Sequence, residues 1–112
     1  MDKERRGLRF AFTASAEIAL ANVPAVFAPA RVTELSLRGC FLETSASFEI
    51  QRPVLVTINY GKEYFEAEAS VLYVRPSGIG LVFGEVNPEF RAVLQKWVLS
   101  TMDSQPDAAN SE

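Results

Sequence analysis

Two short stretches concentrate the groups that could do chemistry: "ERRGLRF", residues 4–10, and "ELSLRG", residues 34–39. In the first, Arg5 and Arg9 stand four apart with Arg6 beside them. Guanidinium forks grip phosphate oxygens bidentately, reach O6 and N7 of guanine in the same way, and stack on purine faces. In the second, a strand conformation would put Glu34 and Ser36 on one face and Leu35 and Leu37 on the other, toward a core. The two oxygens of a glutamate can accept both N–H groups on the Watson–Crick edge of guanine, and a serine can serve phosphate or base edges. Gly39 ends the run where a side chain would be costly, either because φ is positive or because something comes close to the backbone. Arg38 adds a further cation. Two guanidiniums and a carboxylate fit a ligand that carries both phosphates and guanines.

The rest of the composition excludes other chemistries. With no histidine and a single cysteine, Cys40, neither a Ser-His-Asp nor a Cys-His arrangement can be built. Only carboxylates remain as metal ligands, and none has calcium-loop spacing, so neither a metal nor a cofactor is expected. There is no P-loop and no GxGxxG. An enzyme is therefore not expected. A net charge of −3 argues against DNA or RNA as partner, since those need a broad basic surface. The basic cluster at Lys3, Arg5, Arg6 and Arg9 is instead a compact anion-attracting patch on an acidic chain. No apolar run reaches the roughly 18 to 20 residues of a membrane span. The N-terminus lacks a signal-peptide segment and the lone cysteine suits a reducing compartment, so a cytoplasmic location is expected.

The elements that must position these residues are mostly strands. At 112 residues the chain is expected to form one domain. "FAFTASAEIAL" alternates, with Phe10, Phe12, Ala14, Ala16, Ile18 and Leu20 on one face. "NVPAVFAP" holds two prolines and reads as a turn into an edge or irregular strand entry. "ARVTELSL" and "CFLETS" read as strands separated by a break at Arg38-Gly39. "PVLVTINY" and "EYFEAEASVLYV" form a hairpin around Gly61-Lys62, a pair suited to a type II′ turn, with Glu63, Glu66 and Glu68 on its wet face. After the "RPSG" turn, "IGLVFG" is the last strand. Short links throughout imply antiparallel pairing.

"NPEFRAVLQKWVLSTM" is the one helix, with Asn87 as N-cap, Pro88 at the first helical position and Glu89 in the first turn. Its stripe of Phe90, Val93, Leu94, Trp97 and Val98 needs a surface to cover, and Trp97 is expected in the core. Cys40 is expected there too. The fold class is all-β, a six-stranded antiparallel β-barrel with one C-terminal α-helix.

The two motifs, in this order with 24 residues between Arg9 and Glu34, resemble a known family. "RRGLR" supplies RxxxR as Arg5 and Arg9, and "ELSLRG" is similar to (D/N)xSxxG through Ser36 and Gly39. The pattern resembles the PilZ domain, the bacterial receptor module for cyclic di-GMP, over residues 4 to about 100. "GIGLVF" is a final strand of the kind common in such domains. The resemblance implies a six-stranded barrel with a C-terminal helix. It also implies a site in which the RxxxR segment wraps over the ligand while the second motif presents the opposite wall.

Carried onto this chain, Arg5 and Arg9 clamp phosphates and guanine and Glu34 takes the guanine edge. Ser36 hydrogen-bonds the ligand, Gly39 permits close approach, and Arg6 and Arg38 assist. Residues 1–9 are expected to form a flexible arm, 10–101 the barrel and helix, and 102–112 a disordered tail. The expected output, with no second domain to act on, is an unidentified effector protein or a change in self-association, driven by ordering of the arm. One departure stands out: Glu34 replaces the family's Asp or Asn, lengthening the reach by roughly 1.5 Å, about one C–C bond. That feature favours the alternative of a PilZ-like interaction adaptor that binds no ligand.

Overall fold

Phe12, Ala14, Ala16 and Ile18 are buried, whereas Ala11, Thr13, Ser15 and Glu17 are exposed, the period of a strand with one face on a core. They belong to β1, Phe10–Leu20, in a computed structural model that describes residues 9–103. Five strands follow: β2, Ala28–Leu35; β3, Gly39–Glu43; β4, Pro53–Tyr60; β5, Glu63–Arg75; and β6, Gly78–Phe83. All neighbours pair antiparallel, and the sheet closes in the order β1-β2-β3-β6-β5-β4. Closure gives every strand a partner on both sides along at least part of its length. Each strand sends a fully buried side chain inward: Ile18, Val32, Leu42, Val56, Phe65 and Leu81. Cys40 joins them. The expected six-stranded barrel with a C-terminal helix is the architecture observed.

The hairpin between β4 and β5 turns at Gly61-Lys62, with Tyr60 opposite Glu63 and Gly61 at φ 63°. The expectation of short links throughout fails at residues 44–52. Strands β3 and β4 lie on opposite sides of the ring, so this segment crosses one end of the barrel. It is pinned to β5 by Gln51 N–H to the Val71 carbonyl (2.7 Å) and Val71 N–H to the Arg52 carbonyl (3.2 Å).

The other end is covered by α1, Pro88–Asp103, whose first turn is capped by the Asn87 carbonyl accepting from Phe90 (3.0 Å) and Arg91 (2.9 Å). Helix α1 packs on β1 and β5. Trp97 stacks on Phe12 with centroids 5.5 Å apart and meets Tyr60 edge-on at 5.7 Å. The indole N–H donates to Glu63 Oε1 (3.1 Å), and Lys96 Nζ donates to Glu63 Oε2 (2.8 Å). Glu63 is thus not merely part of a wet face. These two hydrogen bonds, from Lys96 first and Trp97 second, hold its carboxyl below the usual range. Glu66 and Glu68 do lie on the outward side of the hairpin.

Candidate functional site

The turn that ends β2 is built by one hydroxyl. Pairing of β2 with β3 shifts register between Val32 and Glu34, so Thr33 is an extra residue and both Val32 and Leu35 reach the core. Glu34 points outward and is exposed, as expected. Ser36 does not lie beside it. Strand β2 has ended at Leu35, and alternation no longer applies: Ser36 is 5% exposed, while Leu37, expected inside, is 52% exposed. Ser36 Oγ accepts the N–H groups of Arg38 and Gly39, both at 3.1 Å, and donates to the Gly39 carbonyl at 3.2 Å. One donor and two acceptor sites are all a hydroxyl has, so it is fully used within the turn.

Gly39 resolves the two reasons offered for a glycine there. Its φ is not positive; instead, a β-carbon at Gly39 would overlap the Leu81 carbonyl oxygen of β6. The Phe83 N–H also donates to the Arg38 carbonyl (2.8 Å), which ties the turn to β6. The Arg38 side chain is exposed at the turn's tip.

Register places a continuous row on the outer wall. Glu34 of β2 is opposite Phe41 of β3, Phe41 is opposite Gly80 of β6, and Gly80 is opposite Tyr73 of β5. A second bulge, with Leu72 as the extra residue, turns Tyr73 outward while Val71 stays in the core. Gly80 leaves space for the Tyr73 ring, since a β-carbon there would overlap the ring atoms. Phe41 lies alongside, its ring 6.2 Å from that of Tyr73 and inclined by 22°.

Arginines gather over this row. Arg9 Nη1 donates to the Tyr73 hydroxyl at 3.2 Å, and its guanidinium carbon lies 5.9 Å from the ring centroid. Arg75 lies over the same ring at 4.6 Å. Burial pushes the Cys40 thiol up to about 12, opposed in part by the positive charge of Arg9. Arg5 and Arg6 lie outside the described residues. Among the described residues, no three metal-ligating side chains come together, and no helix is long and apolar enough to cross a membrane.

The structure therefore brings Glu34, the Ser36–Gly39 turn and Arg9 to one side of the barrel and adds Phe41, Tyr73 and Arg75. No spacing in the sequence links position 73 to position 34; only strand order does. The one advance signal was Gly80, a glycine inside a strand, which marks a close approach. An apolar groove of about 270 Å³, lined in part by Val23, Phe27 and Phe48, offers no charged group and so does not suit a phosphate ligand.

The fold is shared with known structures. The PilZ domain of YcgR from Escherichia coli, solved with c-di-GMP, superposes with a TM-score of 0.71 at 15% identity, covering 94% of this chain and 96% of that one. The PilZ domain of CeSA from a cellulose-synthesizing bacterium gives 0.67 at 16% identity, covering 84% and 97%. MotI/DgrA, a Bacillus subtilis inhibitor of motility, gives 0.68 at 17%, covering 88% of this chain and 51% of that one. No curated protein matches the sequence itself. The family model of the PilZ domain matches residues 3–100, and the chain belongs to the PilZ domain family.

Proposed function

We propose that this PilZ domain is a receptor for cyclic di-GMP, bound on the outer wall of the barrel along the row from Glu34 to Tyr73. The observation that carries the reading is the convergence of an arginine and a carboxylate on that row. The Arg9 guanidinium lies over Tyr73, and the exposed Glu34 carboxylate occupies the same row, with Gly80 between them. Arginine forks match phosphates and the O6/N7 edge of guanine, and a carboxylate matches its N–H edge. The likeness to the YcgR PilZ domain solved with c-di-GMP adds support.

In this reading Arg5 and Arg9 clamp the ligand, Glu34 takes a guanine edge, and Arg6 and Arg38 assist. Ser36 meets the ligand with its hydroxyl already committed to the turn, so its main contribution is to hold Gly39 in place. Residues 1–9 act as an arm that folds over the ligand and alters the surface offered to a separate effector protein or to a second copy. Ordering the arm offsets part of the gross binding energy and provides the signal. The receiving module runs from β1 through the end of α1 at Asp103. No catalytic step is part of the reading.

Calorimetric titration of cyclic di-GMP into the wild type and into Arg9→Ala, with GTP as control, tests it. Loss of one bidentate arginine should cost about 1 to 3 kcal/mol, or about 5- to 150-fold in affinity. Absence of binding at high ligand would favour the second reading, an interaction adaptor of the same fold. The feature on its side is Glu34, whose longer side chain changes the reach of the acidic position.

A further inference from the structure

We infer that Tyr73 is a positioning residue of the proposed site: its hydroxyl holds Arg9 over the outer row before the ligand arrives. The inference rests on the reading that this row binds cyclic di-GMP. It begins from how firmly Tyr73 is itself held. The bulge at Leu72 aims the ring outward, Gly80 leaves the space it occupies, Phe41 lies beside it, and Arg75 lies over it at 4.6 Å. A tyrosine set by four neighbours presents its hydroxyl at a fixed point, and Arg9 Nη1 donates to that point at 3.2 Å.

A guanidinium has five N–H donors, and the contact with Tyr73 occupies one of them. The other four remain for phosphate oxygens or for O6 and N7 of guanine. An arginine side chain free in solvent must surrender its rotamer freedom when it clamps a ligand. Arg9, already drawn over the row, surrenders less, and the difference appears as affinity. Arg75 steadies the ring from a strand that neither sequence motif touches. This explains why a tyrosine far along the chain belongs to the site.

The test is a double-mutant cycle on the full chain, titrating cyclic di-GMP at low ionic strength, where the remaining arginines keep binding measurable. Tyr73→Phe keeps the ring and its packing and removes only the hydroxyl, so its melting temperature should match the wild type. Its affinity should fall by about 3- to 10-fold, the range of one hydrogen bond. In the Arg9→Ala background the same change should cost nothing further, because the residue it positions is gone. Equal affinity of Tyr73→Phe and wild type, or a loss that persists in the Arg9→Ala background, overturns the positioning role and leaves the receptor reading intact. A wild type that binds no cyclic di-GMP overturns both.

Discussion

Ser36 and Gly39 work as a pair. The serine hydroxyl satisfies the Arg38 and Gly39 amides, and Gly39 in turn allows β3 to lie against the Leu81 carbonyl. Ser36→Ala leaves a buried amide without its partner and should destabilise the protein by about 1 to 3 kcal/mol in chemical denaturation. Gly39→Ala forces a methyl group into β6 backbone, which cannot swing away as a side chain could. We expect it to cost about 1 to 3 kcal/mol or more and to weaken ligand binding as the turn shifts. Cys40 gives a third expectation. Its thiol is raised from 9.0 to about 12 in the folded protein, so the folded state keeps a proton that the unfolded state releases. Stability is full below pH 9 and falls as pH rises from 9 toward 12, by up to about 1.4 kcal/mol per pH unit. Denaturant midpoints across that range would show it, and Cys40→Ala should flatten the slope. Of these residues, Ser36 and Gly39 were legible in the sequence by type and spacing. The inward turn of Ser36 was not, because alternation says nothing once a strand has ended.

Elements were legible where the period was regular. Strand β1, the β4–β5 hairpin and the capped start of α1 follow directly from alternation and from Asn87-Pro88. The bulges at Thr33 and Leu72 were hidden, because an extra residue alters the phase of a strand without altering its composition. Glu63 was read as solvated since only the docked helix reveals its partners. Its carboxyl is held low by Lys96 and Trp97, so this contribution is present above the ordinary carboxylate range and is lost as pH falls through the lowered value. Trp97 fluorescence should therefore report loosening of α1 on acidification, and Glu63→Gln should remove that step. A fluorescence titration identical in both proteins would contradict the anchoring role. Trp97→Ala, by contrast, empties a core position that is 2% exposed and should cost about 3 to 5 kcal/mol at any pH.

At the scale of the whole molecule, the barrel's strand order makes the site. Strands β2, β3, β6 and β5 are contiguous on the wall only because residues 44–52 carry the chain across the barrel end to β4. That crossing puts Tyr73 and Gly80 in line with Glu34, and no local pattern foretells it. The helix closes the end nearest Phe12 and Tyr60, and the row lies on the wall beside it. The most direct test of the account is to map amide chemical-shift changes by NMR as cyclic di-GMP is added to the full chain. The account predicts saturable shifts centred on Arg9, Gly39, Phe41, Tyr73 and Gly80, with Val23, Phe27 and Phe48 at the far groove unmoved. Shifts centred on that groove, or none at saturating ligand, would contradict it.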